Sequence, residues 1–242
     1  MNVAQIIQGI IFVILLYLVY SYFFTDHSTK EISMMRDGRE QKTIQAQELP
    51  ANVMGTNDYT YSIWLYINDW NYRYGAKKVI ISKTDTQNKP SPEIFLHETL
   101  NNIIVRVNVY DVDAETRSRL DDCVLDNVPL QKWFNLIVTL NNRALDLYID
   151  GKLVRTCVLS GVPKTNPESN IVITPNSNGQ PGGFSGKTAM FRYMGHAVNP
   201  RQAYDIYRQG FGGGSFLGGL MDKYGVKFSL MVDNEERYKV KI

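Results

Sequence analysis

Residues 132–152, KWFNLIVTLNNRALDLYIDGK, decide the fold. WFNLIVTL and ALDLYI are rich in β-branched and aromatic side chains and are parted by Asn-Asn-Arg, the punctuation of two paired strands. Asp150-Gly151 then leads into KLVRTCVL, and an Asp-Gly pair between alternating runs is the sequence of a two-residue hairpin whose positions both take positive φ. The same stretch sets Asp146, Tyr148 and Asp150 on one strand face, which raises the question of a catalytic carboxylate row. At about 3.3 Å per residue, Asp146 and Asp150 lie about 13 Å apart along a strand, whereas paired glycosidase carboxyls come within about 5–9.5 Å. Asp150 is also committed to the turn. The row therefore reads as scaffold, and no catalytic residue is assigned.

Working outward, similar runs recur along the chain: TIQAQ, YTYSIWLYI, KVIISK, EIFLH, IIVRVNVY, DCVLDNV, NIVIT and AMFRYMG, with YGVKFSLMV and ERYKVKI near the end. Asn, Asp, Gly and Pro clusters separate them, which predicts an all-β antiparallel sandwich. In IIVRVNVY, Ile103, Val105, Val107 and Val109 form one apolar face. One helix is expected after the amino-terminal region, in NPRQAYDIYRQG, with Asn199 as N-cap, Pro200 in the first turn, Gly210 as stop, and Ala203, Ile206 and Tyr207 packing inward.

The first residues differ in kind. From Met1 to Thr25 no side chain is charged, and IIQGIIFVILLYLVYSYFF is long enough to cross a hydrocarbon layer as a helix. It lacks the basic start and small-residue cleavage site of a secretory signal. The expectation is a single transmembrane anchor over residues 1–24, contacting a lipid bilayer through residues 5–24, a polar juxtamembrane connector over 25–42, and one domain over 43–242 with a carboxy-terminal hairpin. Lys30, Arg36, Arg39 and Lys42 follow the apolar run and no basic residue precedes it, which places the domain on the cytosolic side.

Composition limits the chemistry. With 26 basic and 24 acidic residues there is no concentrated basic surface for nucleic acid. Neither an HExxH pair nor a Gly-x-Ser-x-Gly elbow is present. Asp111, Asp113 and Glu115 in DVDAE are hard oxygen ligands of the kind calcium takes, beside the simpler reading of a solvated acidic loop. No other cofactor is implied. Cys123 and Cys157 lie in strand-like runs that could be neighbours in one sheet, either as a disulfide or as two buried thiols; a cytosolic setting favours thiols. For ligand or partner binding, Trp70, Tyr72, Arg73 and Tyr74 in NDWNYRYG combine flat faces with polar groups suited to a sugar ring or a protein hot spot. The alternative is that Trp70 and one tyrosine cap the sandwich.

YTYSIWLYI, VPLQKWFNLIVTL with LDLYIDGKLV, and FSGKTAMFRYMGHAVNPRQAYDIYRQG together resemble the concanavalin A-like lectin/glucanase superfamily, in particular its laminin G-like jelly rolls. NDWNYRYG, the cysteine pair and the tail GGGSFLGGLMDKYGVKFSLMVDN further resemble membrane-anchored virion proteins of large double-stranded DNA viruses of algae and protists. The first resemblance implies a jelly roll, and the second a non-enzymatic minor capsid component tying an internal membrane to capsid or other shell proteins, with the domain facing the capsid. A membrane-anchored lectin-like module that binds glycans is the other expectation.

Overall fold

The computed structural model describes residues 11–17, 29–52, 56–111, 114–177, 179–211, 227–232 and 235–241. Two antiparallel sheets face each other. The first runs β1 (Thr29–Ile32), β13 (Ser185–Met194), β4 (Tyr59–Asp69), β9 (Trp133–Asn141), β10 (Ala144–Ile149) and β11 (Lys152–Val158), with β2 (Arg36–Asp37) also on β13. The second runs β3 (Lys42–Ile44), β12 (Ile171–Ile173), β5 (Lys78–Thr84), β6 (Pro90–Leu96), β7 (Asn102–Asp111) and β8 (Ala114–Asp126). Many neighbours are distant in sequence, such as β13 beside β4, so this is a sandwich with long crossovers rather than a meander.

The core follows the alternation of the opening stretch. Phe134, Leu136, Val138 and Leu140 from β9, and Leu145 and Leu147 from β10, are buried against Ile103, Val105, Val107 and Val109 of the other sheet. Each such side chain removed from water contributes roughly 1.5–3 kcal/mol. Asp150 (φ 50°) and Gly151 (φ 72°) both take positive φ, as the Asp-Gly turn requires.

A third, partial layer covers the outer face of the first sheet. The helix α2 (Pro200–Arg208; α1 denotes the helical residues 11–17) is capped by Asn199, whose side chain accepts from Gln202 N at 2.9 Å, while Asn199 N donates to Gln202 Oε1 at 2.9 Å. Its Ala203 and Ile206 pack on Ile137, Tyr148, Met194 and Val198. Tyr207 stacks on Trp64 with ring centroids 5.6 Å apart. Farther on, β14 (Lys227–Val232) and β15 (Glu235–Lys241) pair as a separate antiparallel hairpin.

Two expectations are corrected. The stretch expected as a connector contributes β1, β2 and the start of β3: Thr29–Ile32 pairs with Phe191–Met194, and Lys42 with Ile173. Its charges are absorbed by the fold, with Lys30 on Glu48 (2.7 Å), Arg36 on Glu40 (3.6 Å) and Arg39 on Asp37 (2.7 Å). Secondly, Cys123 and Cys157 are not neighbours in one sheet. They occupy β8 and β11, the edge strands of opposite sheets, and are joined by a disulfide with Cα atoms 5.9 Å apart. The anchor expected over residues 1–24 lies outside the described residues except for residues 11–17; among the described residues no helix is long and apolar enough to cross a membrane.

Candidate functional site

The residues of DLYID have structural roles. Asp146 accepts from Thr156 Oγ1 at 2.6 Å across the hairpin. Tyr148 is buried under α2. Asp150 accepts the Asn135 N–H through Oδ1 at 2.8 Å, holding its own turn against β9. The carboxylates near DVDAE are likewise engaged: Asp122 binds Arg106 through both oxygens at 2.7 Å, and Asp121 takes Arg119 at 3.3 Å and Ser160 N at 2.5 Å. Asp111 ends β7 and has partners of its own. Asp113 and the side chain of Glu115 lie outside the described residues, and among the described residues no cluster of three metal-ligating side chains forms.

The aromatic loop after β4 divides. Trp70 is half-buried against the main core, with the Lys78 ammonium 5.3 Å from its ring centroid, so it caps the sandwich. Burial, together with the nearby Arg73, holds the Lys78 pKa below its ordinary value. Tyr72 reaches the Pro181 and Gly182 carbonyls at 3.4 Å. Tyr74 is the exposed ring, at 62%. The four residues expected as one platform thus point to different tasks.

Beside this loop lies a better-formed feature. A groove of about 410 Å³ opens on the outer face of the first sheet, lined by Asp37, Arg39, Tyr66, Asn68, Trp133 and Lys187. Its floor follows from strand periodicity: Leu65 and Ile67 face the core, so Tyr66 and Asn68 face out. Trp133, directly opposite Tyr66 on β9, places its ring 5.7 Å from the tyrosine ring. A bulge in β13 at Ser185/Gly186 brings its backbone against Tyr66, where a Cβ on Gly186 would meet the Tyr66 carbonyl oxygen at 2.0 Å. At the rim, Arg39 donates to both carboxylate oxygens of Asp37, at 2.9 and 2.7 Å, and holds the Asp37 pKa below the usual range; Lys187 adds to this. Among the described lining residues, two cations stand against one carboxylate, which makes this lining net positive.

A larger cleft of about 490 Å³ separates α2 from β1 and β13. Two of its charged groups are committed to each other, since Arg192 donates to Glu31 at 2.8 Å and also to Gln209 Oε1 at 2.6 Å. That network joins helix to sheet. His196 lines this cleft, and His97 accepts from Thr99 N and Leu100 N at 3.1 Å in a turn.

A laminin G-type family model matches residues 28–203, beginning at the first strand and ending within α2. The chain belongs to the concanavalin A-like lectin/glucanases superfamily. Among solved structures, this superfamily member is similar to the botulinum neurotoxin serotype D ligand binding domain in complex with N-acetylneuraminic acid, at 16% identity and TM-score 0.52, covering 76% of this chain and 42% of that one. The receptor binding domain of botulinum neurotoxin D is similar at 16% identity and TM-score 0.51, over 75% of this chain and 43% of that one. The receptor binding domain of the mosaic serotype C/D aligns at 13% identity and TM-score 0.52, over 75% and 46%. The chain therefore spans less than half the length of these neighbours, and the likeness is one of fold. None of the curated proteins matches the sequence.

The sequence named the loop beside the groove but not the groove. Tyr66 and Trp133 sit inside strands read as core, and only the register of β4 on β9 makes them one surface.

Proposed function

We propose that this protein is a non-catalytic carbohydrate-binding module held at a membrane by its amino-terminal segment, and that the groove floored by Tyr66 and Trp133 takes an acidic sugar. The observation that carries the reading is the groove itself: two aromatic rings at 5.7 Å, ringed by Asp37, Arg39, Asn68 and Lys187. Phe211 stacks on one face of Trp133 with centroids 4.8 Å apart; the remaining apolar surface of the two rings suits the C–H faces of a sugar ring, and the surrounding donors and acceptors suit its hydroxyls. The excess of cationic side chains favours a carboxylate-bearing residue. A neighbour of the same fold is bound to N-acetylneuraminic acid, which makes that sugar the first probe.

The membrane part rests on residues 11–17, which are helical and each more than half exposed although all are apolar. Such a surface in water is costly and in lipid is not. Strand β1 begins at Thr29, so an anchor ending at Phe24 would hold the sandwich directly above the bilayer. The basic residues read as setting a cytosolic orientation belong to the folded domain, and long domains translocate largely regardless of their charge. The Cys123–Cys157 bridge belongs to an oxidising compartment. We therefore place the domain on the non-cytosolic side. Tethering of a viral shell rests on the sequence resemblance alone.

The test is a glycan array probed with full-length protein in detergent, in wild-type form and as Trp133→Ala. Retention on acidic glycans that falls at least tenfold in the variant supports the reading. Absence of retention on any glycan, with cross-links from the domain to an abundant shell protein instead, would replace it with the tether.

A further inference from the structure

A second cavity, of about 240 Å³, lies between the two sheets at the end closed by the loops around Asn52 and Asn166. It is independent of the groove. Tyr59 and Tyr61 of β4 and Tyr193 of β13 line it from one sheet, and Lys83 of β5 lines it from the other. Tyr59 and Tyr61 are 3% and 1% exposed, and neither hydroxyl has a hydrogen-bond partner among the described residues. The Tyr193 hydroxyl donates to Asn52 Oδ1 at 2.9 Å.

Lys83 is 7% exposed. One of its three protons is used, on the Ser169 carbonyl at 2.9 Å, and its ammonium sits 5.8 Å from the Tyr193 ring centroid. Among the described ion pairs none includes it. Burial alone draws its pKa down to about 8, which leaves it mostly charged at neutral pH.

This is an unusual collection for a sandwich interior. Burying a hydroxyl without a partner costs about 1–3 kcal/mol, and a buried ammonium demands a counter-charge. An acceptor with more than one oxygen and a negative charge would complement these groups. We propose that the cavity is a binding site for a small carboxylate, held by the Lys83 ammonium and the Tyr59 and Tyr61 hydroxyls. At about 30 Å³ per water, the space equals about eight waters, which limits the ligand to a small acid.

The experiment titrates full-length protein in detergent at pH 6.5 with sodium acetate, sodium lactate and the neutral isostere acetamide, reading calorimetric heat and melting temperature. Saturable binding and a raised melting temperature are expected for at least one acid and not for acetamide. Lys83→Met should weaken that binding at least tenfold, and Tyr59→Phe at least threefold, while Lys152→Met on the exposed strand β11 leaves it unchanged. Tyr59→Phe keeps the ring packing, so it reports even where Lys83→Met fails to fold. The proposal is overturned when neither acid binds the folded wild type, in which case the cavity holds water only, when acetamide binds equally, or when Tyr59→Phe binds like wild type.

Discussion

Gly151 carries two constraints at once. Its φ of 72° disfavours any side chain, and a Cβ there would lie 2.9 Å from Tyr204 Cα and 3.0 Å from Tyr207 Cβ of the helix. Gly151→Ala should therefore both strain the turn and push α2 off the sheet, at a cost of about 1–3 kcal/mol in denaturant unfolding. Lys83 makes a prediction in pH. Its folded pKa of about 8 lies below the unfolded value near 10.5, so between them the unfolded chain holds the extra proton and stability rises with pH. The slope reaches at most about 1.4 kcal/mol per pH unit. Buried Tyr59 and Tyr61 titrate above their ordinary value and Tyr193 is raised to about 12, so the tyrosines erode stability only above about pH 10. Equilibrium unfolding of wild type and Lys83→Met between pH 7 and 9.5 checks the sign, since the variant should lose the rise. At this scale the sequence marked Asp150-Gly151 and Asn199 correctly, because turn and cap chemistry is local. It could not divide Trp70 from Tyr74, because a capping ring and an exposed one have the same sequence context.

At the scale of elements, the disulfide closes the open edge between β8 and β11 across 34 residues. A loop of that length corresponds to about 3–4 kcal/mol of stability in the chain-entropy account. Cys123→Ser with Cys157→Ser should lower the melting temperature, and reductant should reproduce the loss in wild type but not in the variant. Loss of the helix cap in Asn199→Ala should cost about 1 kcal/mol, read as faster proteolysis at the helix and a lower unfolding midpoint. Most strands were legible, since runs such as WFNLIVTL and IIVRVNVY carry both β-propensity and alternation. The short β1 and β2, TKEI and RD, were not: they are polar edge additions whose partners on β13 lie more than 140 residues away. Likewise, the two cysteines were legible as a pair, but their placement in opposite sheets follows from strand order, which no local pattern encodes.

For the whole molecule, the superfamily was legible as a constellation of strands spread over most of the chain, whereas the groove was not. It exists because β4, β9 and β13 are brought side by side from three distant parts of the sequence, with charged residues from around β2 at its rim. The membrane arrangement predicts that full-length protein floats with liposomes and that a chain lacking residues 1–24 does not, while both bind the same glycans. The most direct measurement is calorimetric titration of N-acetylneuraminic acid into wild type, Tyr66→Ala and Tyr74→Ala. The groove account predicts binding by wild type and Tyr74→Ala and at least a tenfold loss in Tyr66→Ala; binding that survives Tyr66→Ala but vanishes in Tyr74→Ala would contradict it and move the site to the loop.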